Sequence, residues 1–444
     1  LRVGFLSPLP PAPTGIADYA ADVLALLADH HDIEIFHAQA SVDRSRLPER
    51  CEIRPASDLE PHYHQKPYDV VVYQMGNGPG HAFLYDHLSR VPGLLCLHDL
   101  VLHHSRAAQF LEAEPVRAWR RDPASVAARE AARPWLESWR AELAYSYPEA
   151  GERLFAVLLG TVGDLLPYAY PLFRVPVEAS RLVAVHNDFM ARAVRDEVPG
   201  SEVVVLPQPA SRVPVEREEV AALRRRLGFA SDDLVVAAFG LLTPEKRIET
   251  VARAVARAAA WAPGLRLLLA GPVPDVPRLE AQLDRLGLAS RTVVTGRLPL
   301  AALPVHMEAA DIVVHLRYPT ARETSAALLR VLAQGRATIV SDLEHQAALP
   351  ADAVARVDVT REEAEVTREI LRLVRDPETR AALGLRAAAF VREEHSPERV
   401  RGAWDHALER ARERPFPPPR DWPPHWPRAA VGGHSSTPHP TLPT

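Results

Sequence analysis

Leu234-Val235-Val236-Ala237-Ala238-Phe239-Gly240-Leu241-Leu242-Thr243-Pro244-Glu245-Lys246-Arg247 opens as an apolar run and closes on two adjacent cations. A run without polar alternation marks a strand covered on both faces, as in a parallel sheet. Beyond it, Ile248, Val251, Ala252 and Val255 fall at i, i+3, i+4 and i+7, the spacing of an amphipathic helix. A glycine ends the strand, and Lys246 and Arg247 stand at the start of the next helix. Cations there are mildly unfavourable for the helix itself, so they point outward to an anion such as a diphosphate, which free helix amides also attract. The Walker pattern G-x-x-x-x-G-K-[ST] is absent.

The same strand–helix unit recurs along the chain. Further apolar runs are Leu265–Ala270, Thr292–Thr295, Asp311–Leu316 and Ala337–Ser341 on one side. On the other are Arg2–Ser7, Asp32–Phe36, Asp69–Gln74, Leu94–His98, Leu182–His186 and Val203–Leu206. Alternation in two blocks predicts an α/β protein of two Rossmann-like, doubly wound domains. Pro207-Gln208-Pro209 separates the blocks, giving an N-terminal domain over 1–208 and a C-terminal domain over 209–395. A helical insertion is predicted at about 105–173, and a C-terminal helix at about 396–414 crosses back to complete the N-terminal domain. Ten of the thirty residues after Arg414 are proline, so 415–444 reads as an extended or disordered tail.

Composition narrows the class. The 444 residues carry a net charge of −5 and are 47% hydrophobic, which suits a sizeable core and argues against coating nucleic acid. Cys51 and Cys96 are too few for a disulfide framework or a four-cysteine zinc site. No apolar run reaches the length of a membrane span and the first residues lack a signal-peptide pattern, so a cytoplasmic protein is expected. The insertion places Trp119, Trp135 and Trp139 among arginines; this reads either as weak membrane-surface contact through 117–140 or as a solvated helical cap. Lysine is confined to Lys66 and Lys246, which singles out Lys246.

Ligands of open α/β sheets bind beyond the carboxyl ends of the strands. After the first strand, Thr14-Gly15-Ile16-Ala17-Asp18-Tyr19 opens a helix; Gly15 either admits a ligand to the backbone or sits in a plain turn capped by Thr14. Gly76-Asn77-Gly78-Pro79-Gly80-His81 partly resembles a dinucleotide fingerprint, which raises an oxidoreductase reading. Its glycine order, its proline and its place away from the first strand weaken that reading. His98, at a strand tip before Asp99, reads as a hydrogen-bonding group in a cleft or as a structural histidine; His186-Asn187 holds the analogous tip. His98 and His103 are five apart, not the four that stack metal ligands on a helix, so no metal site is assigned. In the second block, Arg317-Tyr318-Pro319-Thr320-Ala321-Arg322-Glu323-Thr324-Ser325 leads into a helix that Thr324 or Ser325 would cap, with Glu323 accepting ligand hydroxyls.

Taken in order, these motifs resemble family 4 glycosyltransferases of the GT-B architecture (glycosyl transferase group 1). The resemblance rests on the Gly15 loop, Gly76-Asn77…His81, His98-Asp99, Gly240…Pro244-Glu245-Lys246 and Arg317…Glu323-Thr324-Ser325…Gly335, over about 2–410. It implies a retaining transfer from a UDP- or GDP-linked sugar to a glycan or lipid-linked acceptor, for cell-surface or exopolysaccharide synthesis. No covalently bound cofactor or obligatory metal is implied; with no nucleic-acid partner expected from the charge, the place of action is the cytoplasm, at the inner membrane face only if 117–140 contacts it. Carried over by position, His98, Lys246 and Glu323 would be catalytic. Gly15, Gly240, Lys246, Arg247, Arg317, Glu323, Thr324, Ser325 and Arg330 would hold the donor, and Asp18, Tyr19, Asn77, His81 and His186 the acceptor. Two departures stand out: Leu241 follows Gly240 where an arginine is common, and the usual glutamate pair falls on Arg322 and Arg330. Those arginines also suit a catalytically weak relative that binds without turning over.

Overall fold

The computed structural model describes residues 1–160, 165–418 and 420–427. The first seven strands are β1 (Arg2–Leu6), β2 (Asp32–His37), β3 (Glu52–Pro55), β4 (Val70–Met75), β5 (Leu94–Leu97), β6 (Leu182–Val185) and β7 (Val203–Val205). They form one parallel sheet in the order β3-β2-β1-β4-β5-β6-β7. The next six are β8 (Leu234–Phe239), β9 (Leu265–Ala270), β10 (Thr292–Val294), β11 (Ile312–His315), β12 (Ala337–Ser341) and β13 (Ala355–Val357). They form a second sheet in the order β10-β9-β8-β11-β12-β13. Every pairing is parallel, Val3 opposite Val70 in one sheet and Val236 opposite Ile312 in the other. The fold is therefore α/β with two doubly wound sheets.

β3 and β13 were not expected from the sequence. Both lie at or near sheet edges and are short, and Glu52-Ile53-Arg54-Pro55 has no apolar run to announce it. In the central strands the apolar runs are buried as their composition requires: all six residues of β4 and all four of β5 and β6 are inaccessible.

Between β5 and β6 the described elements are all helices, including Val126–Ser146, capped by the Ser125 hydroxyl. Trp139 is fully buried against Phe110 and Leu143, and Trp135 packs half-buried on the same cluster. Two of the three tryptophans that suggested a membrane-facing surface thus serve a core. Helix Pro397–Glu413, capped by Ser396, lays Val400, Trp404, Ala407, Leu408 and Ala411 into the core beneath β1, β4 and β5. No described helix is long and apolar enough to cross a membrane.

The expectation of a disordered tail from 415 needs correction for its first part. Trp422 and Trp426 are buried in the N-terminal core, and their indoles donate to Glu178 (3.1 Å) and Glu142 (2.6 Å). A proline-rich segment with two large apolar side chains can dock even though it forms no regular element. Residues 428–444 lie outside the described part.

Candidate active site

The C-terminal half of the cleft is built from three strand tips. Gly240 follows β8 with φ of +99°, a left-handed conformation suited to glycine. An added Cβ there would come 2.5 Å from Lys246 Nζ and 3.9 Å from Ala327. Gly240 therefore lets the Lys246 ammonium and the first turn of helix Ala326–Ala333 approach each other. The chain turns through the short 3-10 segment Pro244–Lys246, and Lys246 folds back so that Nζ donates to the Phe239 carbonyl at 2.6 Å. Only 7% of Lys246 is exposed. Burial, helped by the neighbouring Arg317 cation and opposed by Glu323, pushes its ammonium down to about 7.

The loop after β11 supplies the facing groups. Arg317 pairs with Glu323 at 3.0 Å, Glu323 also accepts from the Thr320 hydroxyl, and the Arg317 N–H is held by Ser341 at the end of β12. Ser325 caps helix Ala326–Ala333 by accepting from the Leu328 N–H, which aims that helix's first amides at the cleft. The Tyr318 N–H donates to the Glu245 carbonyl, which ties the Lys246 and Arg317 loops together.

The N-terminal wall is more tightly packed than the sequence suggested. His98 follows β5, but both ring nitrogens already have partners: Gln74 at 2.7 Å and His186 at 3.1 Å. Burial and the nearby His186 hold the His98 imidazole well below its ordinary range. The picture of His98 as a free hydrogen-bonding group in the cleft is thereby corrected. His186 gives its other nitrogen to the Leu206 carbonyl, and burial pushes it down to about 4. Tyr19, placed on the acceptor side by sequence, is instead a core residue whose ring edge packs on His98 and His186. His81 is buried with its ring on the Gln74 carbonyl, and burial pushes it too down to about 4. Asp18 pairs with Arg46 at 2.6 Å. Gly15 begins its helix with nothing within 4 Å of where a Cβ would lie, so the space beside the backbone there is open.

Asn77 is occupied as a cap. Its carbonyl oxygen accepts from the His104 and Ser105 N–H groups at the head of helix His103–Leu111, and its own N–H donates to Asp99. An added Cβ at Gly76 would overlap Ile16. With the Asn77 amide spent on Asp99 and Gly76 pressed on Ile16 of helix Gly15–Leu27, the loop offers no cradle for a dinucleotide.

Three donor-side assignments also change. Arg247, in a left-handed conformation, pairs with buried Glu362 at 2.9 Å and so braces a helix. Arg330 reaches across the cleft to Asp22 at 3.1 Å. Thr324 faces the other domain, donating to the His186 carbonyl at 3.0 Å and accepting from Asn187.

The hydrogen bonds that join the two walls were not legible in the sequence. Leu100 N–H donates to the Ala321 carbonyl, Asn187 to the Arg322 carbonyl and Gln208 to the Thr324 carbonyl. Burial and the facing Glu323 push the Asp99 carboxyl well above the usual range. Its place directly after a strand tip was the available signal. A cavity of about 650 Å³ beside this junction is bordered by Asn187, Glu323, Ser325, His345, Phe390 and His395.

Residues 219–390 match the family described as glycosyl transferases group 1. The chain is 29% identical over 226 residues to a 2-deoxystreptamine N-acetyl-D-glucosaminyltransferase of Streptomyces fradiae, a stretch taking in 43% of this chain and 52% of that protein. The match thus spans about half the length of the curated relative. Among solved structures, Anabaena Alr3699/HepE in complex with UDP and glucose superposes with a TM-score of 0.62 at 15% identity, over 92% of this chain and 99% of that one. A sucrose-phosphate synthase from Thermosynechococcus elongatus gives 0.63 at 16% identity, over 92% and 98%. Residues 219–390 of this chain are thus similar to glycosyl transferases group 1, within a chain that has the two-domain GT-B fold of these structures.

Proposed function

We propose that the protein transfers a sugar from a nucleoside-diphosphate sugar to an acceptor hydroxyl, with retention at the anomeric carbon. The observation that carries this reading is the burial of the Lys246 ammonium beside Gly240 and the first turn of helix Ala326–Ala333, at the interdomain junction. A desolvated cation next to unbonded helix amides is arranged for an anion, and the departing diphosphate is one. As the anomeric C–O bond breaks, negative charge grows on the bridging phosphate oxygen. Lys246, the amides behind Ser325 and the Arg317 cation stabilise that charge. Glu323, steadied by Arg317 and Thr320, is left to accept hydrogen bonds from sugar hydroxyls. The acceptor oxygen attacks from the same face and gives its proton to the departing phosphate oxygen, so no protein base is required.

The donor we favour is UDP-linked, because HepE holds UDP and glucose on the same fold and the Streptomyces fradiae relative is an N-acetylglucosaminyltransferase. The acceptor is a glycan or a lipid-linked glycan, entering between Gly15 and the Asp99–His104 segment. A binding-only relative is the second reading, since Arg330 is committed to a domain contact. A panel of UDP- and GDP-sugars and dinucleotides, read by thermal shift and then by product formation, separates these. Stabilisation by a UDP-sugar with turnover supports transfer, and stabilisation without turnover supports binding alone. A large shift with NAD and none with nucleotide sugars overturns both.

A further inference from the structure

Three side chains with metal-ligating atoms converge in the N-terminal domain, outside the donor loops. Cys96 and His98 lie two residues apart at the end of β5, on one face of the strand, and His186 follows the neighbouring β6. Their ligating atoms all fall within 4.8 Å of one another, and all three residues are buried. Cys96 Sγ is 3.7 Å from His186 Nε2, which is 3.1 Å from His98 Nδ1. Tetrahedral zinc, with bonds of about 2.0–2.1 Å to nitrogen and about 2.3 Å to sulfur, sets its ligand atoms about 3.3–3.6 Å apart.

The far nitrogens define what faces the centre. His186 Nδ1 lies 2.9 Å from the Leu206 carbonyl oxygen, an acceptor only, so it carries the proton and Nε2 is a lone pair. His98 Nε2 lies 2.7 Å from Gln74 Oε1, so it too carries a proton and Nδ1 is a lone pair. With the Gln74 amide so oriented, two lone pairs face each other at 3.1 Å beside a thiol, a repulsion that a shared cation relieves. Oxygen acceptors on the outer nitrogens are also the usual support of histidines that bind metal. Tyr19 covers the cluster with its ring edge, and its buried hydroxyl has no hydrogen-bond partner at ordinary geometry.

We propose that Cys96, His98 and His186 bind a single zinc ion that staples the tip of β5 to the tip of β6 behind the cleft wall. Binding releases the Cys96 thiol proton to solvent, and the ion takes no part in sugar transfer. The competing arrangement is a Gln74 amide turned over, so that its nitrogen donates to His98 and His98 donates to His186 with no metal.

Metal content of the full-length protein, produced with zinc in the medium, decides between them by inductively coupled plasma mass spectrometry. About one zinc per chain is expected, falling below about a tenth in Cys96→Ser and unchanged in Cys51→Ser. Cobalt-loaded protein should show thiolate-to-metal charge-transfer absorption that Cys96→Ser abolishes. Should Cys96→Ser fail to fold, His186→Gln is measured in the same way, with the same fall in zinc expected and undiminished zinc again overturning the proposal. Wild-type protein without stoichiometric zinc, as purified and after equilibration with zinc, overturns the proposal. So does undiminished zinc in a folded Cys96→Ser. Because the readout is metal content, failure of the transferase reading leaves this result intact.

Discussion

At the scale of single residues, Lys246 holds a charge where water scarcely reaches, and its partner in the protein is one carbonyl oxygen. Replacing it by methionine removes a desolvated cation, so the melting temperature should stay level or rise. Transfer should fall about 100- to 1,000-fold, the range for losing one preorganised donor to a developing anion. Circular dichroism melts alongside product assays check both; equal loss of stability and activity would make the residue structural. The pH dependence follows from the same ammonium, which titrates near 7 in the free protein. A bound diphosphate raises that value, so binding below about pH 7 takes up no proton there and the affinity is flat. Above it, Kd should rise with pH, by up to tenfold per unit, and calorimetry in buffers of different ionisation heat should show proton uptake. In Lys246→Arg, whose cation does not titrate, that slope should vanish. Asp99 gives a companion prediction. Asp99→Asn preserves an acceptor for the Asn77 N–H and removes the repulsion from Glu323, so it should keep more activity than Asp99→Ala when the two are assayed together.

At the scale of elements, the docked segment before residue 427 ties the helical insertion to its domain. Arg106 and Glu142 form a buried two-pronged pair, at 3.1 and 2.8 Å, between helices His103–Leu111 and Val126–Ser146. His425 and the Trp426 indole complete the shell around Glu142. Although burial opposes ionisation, Arg106 and His425 hold the Glu142 carboxyl down at about 2. A carboxylate lowered on folding stabilises fully above its unfolded value of about 4.3 and loses that contribution as pH falls towards 2. Truncation after Arg414 should therefore lower the melting temperature at pH 7, with a smaller difference between truncated and full chains at pH 3. Glu142→Ala, which strands a buried guanidinium, should cost about 3–5 kcal/mol in urea unfolding. Legibility followed the same physics. Central strands such as β4 and β8 are uniformly apolar and were read directly, and Gly240 with Lys246 identified one wall of the site. The edge strand Glu52–Pro55 lacks that pattern, and the proline content of 415–427 concealed two anchoring tryptophans. The partners of His98, Arg247 and Arg330 could not be read, because each lies at least 24 positions away and depends on how elements pack.

At the scale of the whole molecule, the 317–325 loop of one domain is gripped by backbone and amide groups of the other. Leu100, Asn187 and Gln208 donate to the carbonyls of Ala321, Arg322 and Thr324. This is a closed arrangement, and closure around the diphosphate loop would exclude water that could otherwise hydrolyse the donor. Arg330–Asp22 is the charged tie across the same gap, with the two side chains 23% and 39% exposed. A pair so accessible is worth about 0.2–1 kcal/mol, enough to shift an open–closed ratio by up to about fivefold but not to set it. Arg330→Ala should therefore move the unliganded protein towards a larger radius of gyration in small-angle scattering and raise the donor KM by no more than about fivefold. Burial raises the Asp22 carboxyl against the pull of Arg330. The tie should accordingly loosen on acidification at a higher pH than an ordinary aspartate would dictate, and not in Asp22→Asn. The decisive variant exchanges the charges, Asp22→Arg with Arg330→Asp. If Arg330 acts by holding the domains together, the exchange restores both the scattering profile and the KM. If it binds the donor ribose, a carboxylate in its place cannot substitute for the guanidinium, and the double variant will bind donor no better than Arg330→Ala.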